Sequence, residues 1–167
     1  MMTHSLTEFF TDWKNESSST LKIFNALTDA SLTQKVTPDG RSLGFLAWHI
    51  ILTLGEMAGQ CGLTVEAPAE SKSIPNKASE LTAAYKKASA SLVSKVQSQW
   101  TDAMLNDELD MYGEKWKRGA VLDSIIRHEI HHRAQMTVLM RQAGVKVPGV
   151  YGPAREEWAK MGMKPMA

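Results

Sequence analysis

The stretch from about Ala120 to Ala143 admits one regular structure. Its apolar residues Val121, Ile125, Met136 and Leu139 recur at the three- and four-residue spacing of a helix, and Gly144 follows as a stop signal. The same stripe contains His128 and His132, inside the string HEIHHRAQ. Residues four apart share a helix face, with Cβ atoms about 5–6 Å apart. Both imidazoles therefore point where a core should be, and a buried imidazole needs a hydrogen-bond partner or a metal ion.

Three more runs carry helical spacing. From about Leu6 to Ala30 the stripe is Leu6, Phe9, Phe10, Trp13, Ile23, Phe24 and Leu27, interrupted by Glu16, Ser17 and Thr20. From about Ser42 to Gln60, with Ser42 as N-cap, one face holds Phe45, Leu46, His49, Leu52, Thr53 and Glu56. From about Ser79 to Trp100 the stripe is Leu81, Ala84, Tyr85, Ala88, Leu92 and Val96. Pro38-Asp39-Gly40 marks a turn. The segment 62–77, with Pro68 and Pro75, lacks periodicity and is long enough to cross a bundle end. The irregular stretch 101–119 has room for a short helix near Asp102–Glu108, and a short last helix closes the tail. Convincing strand signals are absent. The expectation is an all-α four-helix bundle with a short C-terminal extension, one domain over residues 1–167.

His49, from a different helix, adds a third imidazole to His128 and His132. Three nitrogen ligands leave a coordination position open, the arrangement of a reactive metal site; a structural site is closed by four protein ligands. His131 is rotated about 100° from His132 and falls outside this set. His4, in the N-terminal arm, is given no role. The string HEIHH also satisfies the zinc-protease pattern, with Glu129 as general base. Its longer extension needs Gly and His where this chain has Gln135 and Val138, and a downstream glutamate ligand would have to come from Glu156 or Glu157. No sheet precedes the motif, so the protease reading is set aside.

Composition narrows the partners. A net charge of +1 gives no pull toward nucleic acid or anionic membrane. No apolar run approaches the roughly 20 residues of a membrane span, and the N-terminus does not read as a signal peptide. The lone Cys61, in GQCGL, reads as structural and suits a cytoplasmic setting. The partner is a small molecule.

Three stretches resemble the DinB-like family, which includes thiol-dependent S-transferases that use bacillithiol. They are RSLGFLAWHI with His49, HEIHHRAQMTVLMRQAGVKVPGVYG with His128 and His132, and PAREEW in the tail. The resemblance implies an up-down-down-up helix order and a divalent metal, usually zinc or nickel, on His49, His128 and His132. It also implies a homodimer for many members. One departure is visible: Ala134 stands where the family often has Gly, which leaves the ligands intact.

Three functions fit these residues. The first is a thiol-dependent S-transferase acting on small electrophiles, with a low-molecular-weight thiol as cosubstrate, since metal binding lowers a thiol pKa. Lys115, Lys117, Arg118 and Trp116 in GEKWKRG are candidates to meet an anionic thiol, although a solvated loop is the plainer reading. The second is metal-assisted hydrolysis, with Glu56 or Glu16 as base. The third is a non-enzymatic metal- or ligand-binding protein of the stress response. Gln135 is a candidate to orient a ligand or water. Arg133 is expected to face outward or cap a tail carboxylate, Tyr151 is a candidate to reach the cleft with a packing role the plainer reading, and Met136 and Met140 read as core filler.

Overall fold

The computed structural model describes residues 3–164. Four helices dominate: α1 (Leu6–Ala26), α2 (Leu43–Gln60), α3 (Ala78–Gln99) and α4 (Arg118–Gln142). Ser42 Oγ accepts from the Phe45 amide at 3.1 Å, the N-cap expected from sequence, and Ser5 does the same for α1 through the Glu8 amide. Helix α1 stops at Ala26, short of the expected Ala30. Leu27 is extended, and Thr28 and Ser31 cap each other to open a separate 3-10 turn over Asp29–Thr33. A hydroxyl that binds local backbone amides competes with helix continuation.

The directions follow from contacts at the helix ends. Asp29, just past α1, accepts from the Ala78 amide at 2.9 Å and pairs with Lys77, so α3 starts where α1 ends. Gly119, at the start of α4, lies against the Thr3 carbonyl, where a Cβ would stand 2.6 Å away. Helices α1 and α4 therefore run side by side in parallel. Helix α2 lies antiparallel to α4: Leu46 faces Leu139 near one end, and Thr53 faces Ser124 further along. Helices α2 and α3 are thus parallel neighbours, joined by the crossover that the two prolines mark. The order is up-down-down-up. The core draws fully buried side chains from all four helices, among them Trp13, Phe24, Ile50, Leu54, Leu81, Tyr85, Leu92, Val121 and Met136.

The short helix expected near Asp102–Glu108 appears as a 3-10 turn, but the expectation of no strands fails. Residues 101–119 hold a 3-10 turn (Asp102–Asn106) followed by an antiparallel hairpin of β1 (Glu108–Met111) and β2 (Glu114–Lys117). The turn pair Tyr112-Gly113 has φ of 53° and 85°, the doubly positive form that matches strand twist. Four-residue strands are too short to display alternation, and Tyr replaces the usual Asn or Asp before Gly. Met111 is fully buried and Leu109 and Trp116 are packed against the core, which fastens the hairpin to the bundle.

Candidate metal centre

Helix α2 delivers His49 and α4 delivers His128 and His132 to one point between them. The three side chains offer ligand nitrogens that all lie within 4.8 Å of one another. His128 Nε2 stands 3.0 Å from His49 Nε2, and the three rings meet edge to face with centroids 4.4 to 4.8 Å apart. Burial depresses the pKa of all three imidazoles. His128 is lowered to about 4, by desolvation first and then by the neighbouring His132 and His49. At neutral pH the group is uncharged and its lone pairs are available, the state in which histidine binds metals.

Gln135 fixes one of these rings. Its Oε1 accepts a hydrogen bond from His132 Nδ1–H at 2.8 Å, which leaves the lone pair on His132 Nε2, and the Gln135 amide nitrogen contacts His131 at 3.1 Å. Such a partner sets tautomer and ring orientation. His131 itself is exposed and outside the group. Three neutral, preoriented imidazoles fit a divalent ion with a position left open.

The expected helpers divide. Glu56 lies beside the group: with His49, His128, Trp116 and Ser124 it lines a cavity of about 320 Å³. Its carboxylate accepts from Tyr112 Oη at 2.8 and 2.9 Å and from Gln60 Nε2 at 2.6 Å. Glu16 is elsewhere, held by Arg133 and by the Tyr151 hydroxyl at 2.6 Å. Arg133 does not face outward; it is buried against α1, donating also to the Glu16 carbonyl and to Thr20. Tyr151 follows it there and does not reach the histidines.

Glu129 cannot act as a protease base. It is buried on the far side of α4, where its Oε1 accepts from Thr20 at 2.7 Å and Tyr85 at 2.8 Å. Desolvation pushes its pKa up to about 7. Burial likewise raises the Cys61 thiol to about 11, which removes a reactive thiolate. Of the basic loop, Lys115 pairs with Asp110 and Arg118 lies over Trp100, so only Trp116 reaches the cleft. Two nearby residues escape sequence reading. Tyr112 arrives through the unforeseen hairpin. Arg41 stands over Phe45 at 5.1 Å, and Phe45 stacks on His49; the spacing 41, 45, 49 along one face was the available signal.

The DinB family model matches residues 1–165. The chain belongs to the DinB family. Within it, the uncharacterized protein YrdA of Bacillus subtilis (strain 168) is 42% identical over 163 residues, 98% of each chain. Among solved structures, a DinB-like protein from Bacillus cereus ATCC 10987 superposes with a TM-score of 0.86 at 38% identity, covering 90% of this chain and 100% of that one. The DinB-like protein YjoA from Bacillus subtilis gives 0.68 at 19% identity over 88% of this chain and 99% of its own, a likeness of fold alone. In this DinB chain no helix among the described residues is long and apolar enough to cross a membrane.

Proposed function

We propose that this DinB-family protein is a metal-dependent enzyme of the cytoplasm that transfers a low-molecular-weight thiol to small electrophiles. The observation that carries this reading is the convergence of three neutral imidazoles, one of them tied down by Gln135. His49, His128 and His132 would hold the ion, with zinc or nickel the expected metals because both accept imidazole and sulfur. A divalent ion held there supplies a Lewis acid that makes a bound thiol more acidic.

The protein's own groups support the chemistry from one side. Glu56 faces the cavity beside His49 and is placed to take a proton at its carboxylate oxygens. Tyr112 holds that carboxylate in position, and Trp116 forms the apolar wall that limits water. The same carboxylate favours a second reading, metal-assisted hydrolysis, in which Glu56 takes its proton from water.

The test begins with metal content. Protein purified without a histidine tag is measured by elemental mass spectrometry beside His128→Ala. About one equivalent of a divalent metal, lost in the variant, is the expected result. Absence of metal from reconstituted wild type overturns the metal reading. A turnover screen of small electrophiles with the loaded protein, run with and without small thiols, then separates transfer, which needs the thiol, from hydrolysis, which does not.

A further inference from the structure

A second cavity, of about 490 Å³, lies where the entry of α2 meets the end of α4, and Gln135 in its lining bonds His132. Its walls are Leu46 and Leu139 within the bundle and Val36 and Val138 at the rim. Those two valines are 65% and 54% exposed, a pair of apolar side chains left facing solvent across one opening. Arg41 and Gln135 supply the polar lining. Gln135 has both ends engaged, by His132 and His131. Among the described residues no carboxylate pairs with Arg41, whose guanidinium rests on the Phe45 ring. The cavity therefore offers an apolar body, one cation without a carboxylate partner, and, in Gln135, a lining residue bonded to His132.

We propose that this cavity binds the carboxylate-bearing portion of the substrate, an acid with an apolar chain whose anion pairs with Arg41. The chain of the ligand lies against Val36, Leu46, Val138 and Leu139. Its reactive end extends toward the histidine group. This placement rests on the thiol-transfer reading for what the reactive end is, and on the cavity alone for the acid. It also reassigns the anion-binding task. In the basic loop Lys115 is spent on Asp110 and Arg118 on Asp107 and Trp100, and none of Lys115, Lys117 and Arg118 lines the cavity beside the histidines, so charge recognition passes to the α2 entry.

Guanidinium matches carboxylate geometry with two parallel donors, and a neutral isostere leaves that pair unmade. The probes are 4-phenylbutyrate and 4-phenylbutanamide, titrated into metal-free protein while the methyl resonances of Val36, Leu46, Val138 and Leu139 are followed. The acid is expected to shift those methyls and to bind about tenfold more tightly than the amide. Arg41→Gln is expected to abolish the preference while leaving the amide unaffected. Arg41→Lys is expected to restore part of it. Equal binding of acid and amide, shifts confined to other methyls, or an unchanged preference in Arg41→Gln each overturns the proposal. A cobalt(II) titration of the same preparations keeps the two readings apart. Acid binding without cobalt uptake leaves the cavity assignment standing and sinks the metal reading; cobalt uptake without acid preference does the reverse.

Discussion

Helix α4 carries two polar pairs in adjacent register, and the two fare differently. His128 and His132 face α2, where they meet one more imidazole and a cavity. Glu129 and Arg133 face α1 and α3, where the protein closes around them. Arg133 reaches Glu16, Thr20 and Tyr151; Thr20 bridges to Glu129; Tyr85 completes the chain from α3. One face ties its polar groups together internally, with only Glu129 Oε2 left buried without a partner; the other gathers ring nitrogens that point at one another. Buried polar groups that lack partners are costly unless something binds them. The contrast separates a fastening from a site within six consecutive helix positions, 128 to 133.

Breaking the fastened side gives the largest effect. Arg133→Ala strands Glu16 beside a half-buried helix face and is expected to cost about 3–5 kcal/mol in urea unfolding of metal-free protein. A loss under about 1 kcal/mol would mean that the network is ornamental and the contrast is false. On the open side, Gln135→Ala is expected to weaken metal affinity about 10–100-fold by freeing the His132 ring, with stability nearly unchanged. Equal affinity in competition with a chelator would show that His132 is held by packing alone.

Titration sharpens the comparison, because the two faces carry opposite proton linkage. His128 is depressed to about 4 from an ordinary 6.5, so the unfolded chain takes up its proton first. The stability of metal-free protein therefore falls as pH drops from 6.5 through 4. Glu129 is raised to about 7 from 4.5, so its contribution is full below 4.5 and lost as pH rises through 7. His128→Ala is expected to flatten the acidic limb of the stability curve, and Glu129→Gln the limb approaching neutrality. Unfolding midpoints recorded across this range check both; identical curves for the two variants would erase the distinction.

The smallest effect belongs to Tyr112→Phe. The hydroxyl is exposed, so the stability change is expected to stay within about 0.5 kcal/mol. Turnover is expected to fall a few-fold, because Glu56 loses the hydroxyl that positions its carboxylate. Unaltered turnover would reduce Tyr112 to a wall.

The bundle and its histidines were legible because both write themselves in short periods. Stripes such as Leu81, Tyr85, Ala88 and Leu92 repeat over many turns, and His128 and His132 sit inside such a stripe. The pair Glu129 and Arg133 has the same four-residue spacing, and spacing cannot say which partners lie across a helix interface. Glu16 looked like a base because it interrupted an apolar stripe; its partner Arg133 lies 117 residues away. Strands of four residues leave too little pattern to read, which hid the hairpin and with it Tyr112.

The up-down-down-up order has a consequence for biosynthesis. His49 lies on α2 and its counterpart His128 comes 79 residues later, on the last long helix. Chains emerge from the ribosome N-terminus first. His49 is therefore made long before it can share an ion, and α1 to α3 can dock while the site is still half absent. An ion held by all three histidines would therefore load only after α4 is made, and a product truncated before α4 would carry His49 without either of its partners.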